Sequence, residues 1–431
     1  MTFFAVFPIV TQSHRGEGGV RGPEEGQKMR IIEQNFQVNF RYPVVFTRDV
    51  FNINNFVLCD MLKEIGQKPN RILAVIDSEI INVLPRLVER MDAYAKYHCD
   101  ILEFVSSPFI MRGGEACKGE RSEVEKIHGL IDKEHLCRHS FVLAVGGGAV
   151  LDAAGFAAST AHRGIRFIRM PTTALSQNDA GVGVKNGINA FGRKNFLGTF
   201  TPPFAVINDF DFLKTLPERD LRSGIAEAVK VALIRDRAFF DFLYRERENL
   251  AVFVPEMMER VIIRCAELHI DHIGRGGDPF EFGSSRPLDF GHWSAHKIEE
   301  LTEGEIKHGE AVAMGIALDS LYSYHLRLIN QIELHKIITT LEDIGFDLYH
   351  WALSWMDIQK AMREFQEHLG GELTIILLNG IGNKIEVHEI DIALYRKCIN
   401  ILASRRREKG SKNGYTEQPD VSERGFKQLL S

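Results

Sequence analysis

Three residues that lie far apart in the sequence have the side-chain types of a catalytic divalent metal site. They are Glu227 in RSGIAEAVK, His292 in DFGHWSAH and His308 in KHGEAVAMG. One carboxylate and two imidazoles can hold a metal ion and leave a coordination position open for substrate. A glycine-rich turn, GGGAVLD at residues 146–152, precedes them. A metal and a dinucleotide together predict that an alcohol is oxidised while the metal holds its oxygen.

Two further residues share helix faces with these ligands. Lys230 follows Glu227 by three residues and His296 follows His292 by four, so each pair lies on one face if its segment is helical. The flanking sequence IAEAVKVALI favours a buried pair over a surface ion pair. An isolated HxxxH is often structural, but the third histidine, in its small-residue segment, favours a site.

The segment VLAVGGGAVLDAAGFAAS passes from an apolar strand through glycines into an alanine-rich helix that begins near Ala149. Glycines let the backbone approach a pyrophosphate, and the free N–H groups at the start of the helix attract it. Gly147 and Gly148 are therefore predicted to bind a nucleotide, although such a turn can also simply join a strand to a helix. Asp152, one turn into this helix, is either part of that site or an acid favoured by the helix dipole.

Neighbouring strand ends carry additional candidates for the same ligand. Asp77 ends the RILAVID strand, where an acid can accept hydrogen bonds from ribose hydroxyls or serve as an ordinary turn acid. Glu115 and Lys118 follow two glycines in a second loop, from which the lysine could reach a phosphate.

Loops of the first part of the chain carry side chains suited to a sugar phosphate. The donors, each near a glycine that lets a ligand approach, are Arg163, Lys185, Asn189, Lys194 and Asn195. Asp179, in QNDAGVGVK, is suited to accept hydrogen bonds from sugar hydroxyls. Each of these residues is compatible with a turn, but together they outnumber what turns require.

Two regions of different periodicity must position these residues. Short apolar segments alternate with helical patterns and predict a parallel sheet covered on both faces; they span residues 72–77, 101–105, 141–148, 165–171 and 204–209. From about Leu221 onward, apolar residues three and four apart predict helices. The predicted divisions are a disordered extension (1–28), an α/β domain (29–220), a helical domain (221–403) and a disordered, solvated tail (404–431).

Composition excludes several classes of function. A net charge of -6 over 431 residues gives no electrostatic basis for binding nucleic acid or an anionic membrane. The apolar run at residues 2–10 is too short to span a bilayer. Six scattered cysteines without CxxC spacing predict neither a zinc ribbon nor a disulfide framework, so we expect a cytoplasmic protein.

The order of the motifs resembles 3-dehydroquinate synthase and the wider sugar phosphate cyclase family. The segments that carry the resemblance are GGE, GGGAVLD, RGIRFIRMPTTALSQNDAGVGVKNGIN, GRKN, LKTLPERDLRSGIAEAVK, GH and HGEAVAMG. They span about Arg71 to Gly315, and the remainder to about Ala403 matches more weakly. The resemblance implies an α/β, Rossmann-like NAD-binding domain, an all-α metal-binding domain and a homodimer.

Residue by residue, the resemblance implies that Glu227, His292 and His308 bind Zn2+ or Co2+. The positions implied for NAD are Lys118, Gly147, Gly148 and Asp152, and we predict that Asp77, Glu115, Thr172 and Thr173 contribute to the same cofactor site. The positions implied for catalysis are Asp179, Lys185, Lys230 and His296, and those implied for the substrate phosphate include Lys194 and Asn195. Arg163 matches an arginine that reaches the neighbouring subunit's phosphate site, so the dimer would be the functional unit.

The sequence departs from this family around the substrate. Where quinate-forming members have a lysine, this chain has His269; Asp289 stands in LDFGH where they have LNxGH, and Arg286 lies one place closer to the first histidine. These exchanges lower the positive charge and add a carboxylate, which disfavours a substrate carboxylate. We therefore expect sedoheptulose 7-phosphate, the substrate of valiolone synthases, rather than 3-deoxy-arabino-heptulosonate 7-phosphate.

The implied reaction is redox-neutral. A transient oxidation gives a ketone, phosphate leaves by elimination, the hydride returns, and ring opening with an intramolecular aldol closure gives a carbocycle. One alternative is a metal-dependent alcohol or glycerol dehydrogenase, which usually takes an aspartate as its first ligand and releases NADH. The other is a catalytically silent sugar-phosphate-binding protein, which His269 and Asp289 allow but the three retained metal ligands disfavour.

Overall fold

A parallel sheet covered by helices forms the first part of the chain, as the alternating pattern predicts. The computed structural model describes residues 34–412, except residues 37, 64, 66–67, 120, 277–278, 281–287 and 370. The predicted extension over residues 1–28 and the substrate candidate Arg286 therefore lie outside the described residues.

Nine strands lie in this part of the described chain. They are β1 (Val44–Thr47), β2 (Asn70–Asp77), β3 (Leu102–Phe104), β4 (Phe109–Met111), β5 (Phe141–Gly146), β6 (Arg166–Pro171), β7 (Lys185–Ala190), β8 (Arg193–Phe200) and β9 (Ala205–Asp209). The main sheet has the order β1-β9-β6-β5-β2-β3, with β4 also paired to β2, and its pairings are parallel. Strand β5, FVLAVG, is buried throughout because helices cover both faces of the sheet.

The helices of this part are α1 (Val57–Lys63), α2 (Ser78–Val83), α3 (Leu87–Tyr97), α4 (Ala116–Gly119), α5 (Arg121–Lys133) and α6 (Gly148–Thr160). Met91 and Tyr94 of α3 pack in the apolar cluster on one face, and Ile127 of α5 and Ala154 of α6 in the cluster on the other. Strand β3 lies on one side of β2 and β5 on the other. The carboxyl ends of β2 and β5 therefore form the crevice where ligands bind in such sheets.

Helices dominate the second part, as predicted. They are α7 (Glu218–Arg235), α8 (Arg237–Arg245), α9 (Arg247–Ala251), α10 (Pro255–Arg275), α11 (His292–Leu301), α12 (His308–His325), α13 (Gln331–Ile344), α14 (Trp351–Trp355), α15 (Ile358–Leu369) and α16 (Ile392–Lys412). Helix α12 is buried on all sides from Ala311 to Ser323, which makes it the central helix of this part.

The structure corrects several local predictions. The predicted loops that hold Lys185, Asn189, Lys194 and Asn195 are instead the antiparallel hairpin β7–β8. This segment is polar and glycine-rich, so it lacks the apolar alternation that predicts strands. A second hairpin, β10 (Ile375–Leu378) with β11 (Lys384–Val387), interrupts the helical part.

The predicted disordered tail also begins too early. Helix α16 continues to Lys412, so residues 404–412 are helical, and residues 413–431 lie outside the described chain. Arg405 in this extension pairs with Glu342 of α13 at 2.8 Å, a contact that the local composition could not predict.

Residues from Tyr42 onward belong to one unit that contains both the sheet and the helices. The change from strands to helices falls at Glu218, where α7 begins, and the division into domains at residue 220 stays a prediction. None of the described helices combines the length and the apolar character that a membrane span needs.

Candidate metal and nucleotide site

Glu227, His292 and His308 converge where three helices meet. Glu227 lies in the middle of α7, and the two histidines are the first residues of α11 and α12. One ligand atom from each residue lies within 4.8 Å of the others. Nε2 of His292 is 3.6 Å, and Nε2 of His308 is 3.2 Å, from Oε1 of Glu227. The three predicted ligands thus form one cluster.

Acceptors at the far nitrogen of each ring orient the two imidazoles. Nδ1 of His292 lies 3.1 Å from the carbonyl oxygen of Phe290, and Nδ1 of His308 lies 3.1 Å from Oε2 of Glu299. Because both partners are acceptors, Nδ1 of each ring donates to its partner, and Nε2 of each ring is the atom that faces Glu227. Both rings therefore have the orientation that a metal ligand requires.

The electrostatics of the cluster fit a divalent cation. Glu227 is fully buried, and neither carboxylate oxygen has a hydrogen-bond partner among the described residues, although Lys230 forms an ion pair with one of them. Burial raises the pKa of Glu227, but Lys230 and His308 hold it well below its ordinary range. Burial lowers the pKa of His308, but Glu227 and Glu299 raise it to about 10. The donor set, one buried carboxylate and two imidazoles, suits Zn2+.

Lys230 and His296 border the metal ligands. Lys230 is buried, which lowers its pKa, but Glu227 and Asp179 raise the pKa above its ordinary value, so the ammonium stays charged. The ring centroid of His296 lies 5.5 Å from that of His292. Desolvation and the two neighbouring imidazoles lower the pKa of His296, so this residue presents a neutral ring on the exposed side of the cluster.

Two of the substrate candidates form an ion pair. Asp179 lies in a π-helical turn, Ser176–Ala180, and its Oδ1 is 2.9 Å from Nδ1 of His269 on α10. Burial raises the pKa of Asp179, but His269 and Lys230 lower it to about 2, so the carboxylate can accept hydrogen bonds from hydroxyls. Asp289 is partly buried before α11, and its charge is among those that raise the pKa of Lys230.

The predicted nucleotide turn lies at the carboxyl ends of β2 and β5. Gly147 is the N-cap of α6. The Asp77 carboxylate accepts hydrogen bonds from backbone amides at the start of α2 and at Gly147. It therefore caps α2 and holds the turn, and the contact of Asp77 with a ribose stays a prediction. A Cβ on Gly147 would lie 3.3 Å from the side chain of Thr173, and buried Thr172 donates its amide to Gly146 at 3.0 Å.

Cofactor candidates and phosphate candidates share one polar network. Nζ of Lys118 lies 2.7 Å from Oδ2 of Asp152 and also hydrogen-bonds Oδ1 of Asn195. Burial raises the pKa of Asp152, although Lys118 partly opposes this. Asn189 donates to Glu115 at 2.9 Å and accepts from the amide of Asn195 at 2.8 Å. The β7–β8 hairpin is thereby held against the loop that carries Lys118.

Close contacts bring the two parts of the site together. A Cβ on Gly224, one turn before Glu227, would lie 2.6 Å from Cβ of Ala174, so only glycine lets α7 approach the segment after β6. A Cβ on Gly148 would lie 3.5 Å from Cβ of Ala180, in the π-helical turn that carries the substrate acid. The metal cluster, that acid and the nucleotide turn are therefore neighbours.

The remaining phosphate candidates lie at the surface. Lys185 is exposed at the start of β7, and Nζ of Lys194 lies 3.3 Å from Oε1 of Glu299. Arg163 is exposed in the 3-10 turn after α6, and it makes no hydrogen bond or ion pair with another described residue. Both His162 and Arg163 have positive φ, 50° and 62°, a conformation that costs energy for residues other than glycine.

Two residues near the site were not predicted from the sequence. Glu299 contacts the metal ligand His308 and lies seven residues after His292, so its place on the ligand face of α11 was a usable signal. Arg169 is fully buried in β6, and its guanidinium donates to Gly183 O at 2.9 Å and Lys185 O at 2.6 Å. It anchors the loop between the π-helical turn and β7, but an arginine within a strand does not indicate which backbone carbonyls it contacts.

Family models match most of the site-bearing chain. The model described as 3-dehydroquinate synthase N-terminal matches residues 108–223, and the model described as 3-dehydroquinate synthase C-terminal matches residues 224–367. Together they cover more than half of the chain.

Individual relatives agree with these matches. A 3-dehydroquinate synthase of Alkaliphilus metalliredigens (strain QYMF) is 37% identical over 279 residues, which are 64% of this chain and 78% of that protein. A 2-epi-5-epi-valiolone synthase of Streptomyces glaucescens is 34% identical over 298 residues, 67% of this chain and 76% of that protein. Among solved structures, the chain is similar to ValA, the 2-epi-5-epi-valiolone synthase of Streptomyces hygroscopicus subsp. jinggangensis 5008, with NAD+ and Zn2+ bound. The two sequences are 28% identical and the TM-score is 0.77. The match covers 86% of this chain and 99% of that chain.

Proposed function

The chain belongs to the 3-dehydroquinate synthase family, and we propose that it is a sugar phosphate cyclase that closes a seven-carbon ketose phosphate into a carbocycle with NAD and Zn2+ or Co2+. The observation that carries the proposal is the buried cluster of Glu227, His292 and His308 beside the glycine turn at Gly147. An alcohol held between the two can lose a proton on one side and a hydride on the other.

Glu227 would hold the metal through a carboxylate oxygen, and His292 and His308 through Nε2. When bound, the metal would lower the pKa of a substrate hydroxyl, and NAD+ would take up and later return the hydride from its carbon. The ValA structure, which has NAD+ and Zn2+ bound, supports this pair of cofactors. The first N–H groups of α6, from Gly148 onward, would face a pyrophosphate.

The chain's own charged groups would orient the hydroxyls. Lys230 keeps its proton, so it donates a hydrogen bond to a substrate hydroxyl rather than acting as a base. Asp179 stays ionised beside His269 and accepts a hydrogen bond from a second hydroxyl. Neutral His296 on the exposed side of the cluster would contact the phosphate, with Lys185, Lys194 and Asn195 from the hairpin.

The phosphate leaves because the transient ketone acidifies the neighbouring C–H, which allows elimination. After the hydride has returned, ring opening and an intramolecular aldol addition form the new carbon–carbon bond. The net products are one carbocycle and one inorganic phosphate, with no net oxidation.

We also propose a homodimer in which Arg163 of one copy reaches the phosphate site of the other. The exposed guanidinium has no partner in its own described chain, and its strained backbone is of the kind retained at functional sites. On β8, Phe196 is 48% and Phe200 is 43% exposed, and this strand pairs only with β7 among the described strands. Exposed aromatic side chains beside the edge of a strand form a surface that a second copy would cover.

The charges near the metal support a substrate without a carboxylate, sedoheptulose 7-phosphate. Lys230 and Lys194 are each paired with an acid of the site. Asp289 adds a negative charge where quinate-forming members have asparagine. Like charges about 4 Å apart repel by a few kcal/mol at an intermediate effective dielectric, so a substrate carboxylate would bind poorly.

One comparison tests the reaction and the substrate together. The protein is incubated with catalytic NAD+, Zn2+ and either sedoheptulose 7-phosphate or 3-deoxy-arabino-heptulosonate 7-phosphate, while inorganic phosphate and NADH are followed. We expect phosphate release from the first substrate without net NADH, and no release by Glu227→Gln. Phosphate release from the second substrate alone would refute the substrate assignment.

The same assay separates the alternatives. Net NADH with glycerol or a simple alcohol, and no phosphate from either heptulose, would refute the cyclase and support a dehydrogenase. Absence of bound metal in both wild type and Glu227→Gln would support a silent binding protein.

We place the enzyme in the cytoplasm, which is supported by six free cysteines with no disulfide.

A further inference from the structure

A buried carboxylate on the central helix holds the peptide that precedes His292. Asp319 of α12 is fully buried. Its Oδ2 accepts the amide of Gly291 at 3.1 Å, and its Oδ1 accepts Nε1 of Trp293 at 3.0 Å and the hydroxyl of Tyr395 at 3.1 Å. All three donors are neutral, so no cation offsets the cost of burying this charge. A buried carboxylate that costs free energy and has three fixed hydrogen-bond donors indicates a specific structural role.

The Gly291 amide and the Phe290 carbonyl belong to one planar peptide group. The carbonyl end of this peptide accepts Nδ1 of His292 at 3.1 Å, while the amide end donates to Asp319. Hydrogen bonds at the two ends of a peptide strengthen each other. A continuous polar path therefore leads from the Asp319 carboxylate through one peptide to the imidazole of a metal ligand.

Helix geometry ties this path to the other histidine. Asp319 follows His308 by eleven residues, about three helical turns, so both lie on the same face of α12. Gly291 has a φ of 77°, and a Cβ on it would lie 2.7 Å from the amide of Ile316 on α12. Helix α12 therefore supplies one ligand directly and fixes the start of the helix that supplies the other.

We propose that Asp319 is a positioning residue of the metal site, which acts through the Phe290–Gly291 peptide to hold Nε2 of His292 toward the metal. The inference rests on the proposed metal-dependent function. Glu299 performs the equivalent task for His308 by direct contact at 3.1 Å. The two imidazoles are thus oriented by two carboxylates, one adjacent and one a peptide away.

Two variants separate positioning from general stability. In Asp319→Asn, the amide oxygen must face Trp293 and Tyr395 to keep their bonds, which turns its NH2 group against the Gly291 N–H and breaks that contact. Tyr395→Phe removes one donor from the same carboxylate and leaves the Gly291 contact in place. Both are expected to lower the melting temperature of the metal-free protein.

Zn2+ affinity by chelator competition and the visible spectrum of the Co2+ form are the deciding measurements. We expect Asp319→Asn to weaken Zn2+ binding by about 10- to 100-fold and to alter the Co2+ spectrum. Tyr395→Phe should leave both unchanged. Wild-type affinity and spectrum in Asp319→Asn, or equal losses in the two variants, would overturn the proposal.

If Asp319→Asn does not fold, the protonation of the His292 ring in the metal-free wild type tests the proposal instead. With 15N-labelled histidine, and with His292→Gln for assignment, His292 is expected to carry its proton on Nδ1. A proton on Nε2 would overturn the proposal. Because this readout needs no metal, failure of the wild type to bind Zn2+ would count against the proposed function alone.

Discussion

The carboxylate of Glu299 lies 3.1 Å from Nδ1 of His308, and its other oxygen lies 3.3 Å from Nζ of Lys194. One residue therefore joins a metal ligand of the helical part to a phosphate candidate on the β7–β8 hairpin. Burial raises the pKa of Glu299, but His308 and Lys194 lower it to about 2, so the carboxylate is ionised at neutral pH.

We predict that Glu299→Gln weakens Zn2+ binding by about 10- to 100-fold, because the neutral amide no longer supports the charge and orientation of the His308 ring. Chelator competition measures this directly. The control is Glu300→Gln, which alters the next residue along α11, an exposed acid paired with Lys297 at 2.7 Å. Equal Zn2+ affinity in the two variants would rule out a role for Glu299.

The fold was predictable wherever its signals are local. The apolar run of β5 and the glycine turn before α6 are patterns of consecutive residues, and the strand and the helix both occur where these patterns predict them. The β7–β8 hairpin is polar, and its backbone bonding and its contacts with Lys118 and Glu115 depend on residues far away in the sequence. Such long-range contacts produce no periodic pattern in the local sequence, so the hairpin could not be predicted from it.

The candidate site shows the same division. Types and spacing suggested Glu227, His292 and His308, and the structure clusters them. Of the two acids that orient the imidazoles, Glu299 follows His292 by about two helical turns, so its position was predictable from the spacing. Asp319 lies in a mostly apolar helix, and the Gly291 amide that it accepts is 28 positions away in the sequence. A sequence shows that such an acid is buried but does not show what it holds.

A second prediction concerns the ion pair of Asp179 with His269. Asp179 keeps its carboxylate down to a pKa of about 2 because His269 and Lys230 outweigh its burial. In His269→Gln burial remains and one opposing charge is lost, so the pKa of Asp179 rises. The acid limb of the pH profile of kcat/KM should move to higher pH by about one unit or more, with little change at pH 8.

The control for this experiment is His272→Gln on the same helix, a residue that pairs with Arg235 at 3.0 Å. Its acid limb should match that of the wild type. An unmoved acid limb in His269→Gln would mean that the protonation of Asp179 does not depend on this histidine.

A third prediction concerns substrate choice at Asp289. Replacing the carboxylate by the asparagine of quinate-forming members removes a repulsion from a substrate carboxylate. We expect Asp289→Asn to raise kcat/KM for 3-deoxy-arabino-heptulosonate 7-phosphate, relative to sedoheptulose 7-phosphate, by about tenfold. The ratio of the two substrates cancels any general loss of activity, and an unchanged ratio would exclude Asp289 as a determinant.

A fourth prediction concerns stability and pH. Burial raises the pKa of Asp319 to about 7 from an ordinary value of 3.8, against the lowering effect of its three hydrogen bonds. The folded state therefore binds this proton more tightly than the unfolded state does. Its contribution to the free energy of unfolding is full below pH 4 and is lost as the pH rises through 7.

At about 1.4 kcal/mol per pKa unit, this loss is on the order of a few kcal/mol. Urea unfolding of the metal-free protein at pH 5 and pH 8 should show a larger decrease in the free energy of unfolding for wild type than for Asp319→Asn. The comparison between the two proteins removes the contributions of all other titrating groups. The same decrease in both would contradict the assignment.

The last prediction tests whether Arg163 acts across a dimer. Arg163→Ala and Lys230→Met should each abolish phosphate release on their own, because each site lacks one required residue. In a mixed dimer, one site combines an intact Lys230 with an intact Arg163 from the other chain. Random pairing makes half of the dimers mixed with one competent site each, so the mixture should recover about one quarter of wild-type activity.

The matched control combines Glu227→Gln with Lys230→Met. Both of these residues belong to the site of a single chain, where they are paired. Each site of a mixed dimer then keeps one defect, so co-expression should recover no activity. Recovery in the first mixture and not in the second requires that Arg163 is shared between copies. No recovery in either mixture, from variants that fold and dimerise, would confine Arg163 to its own chain and remove the functional reason for its strained backbone.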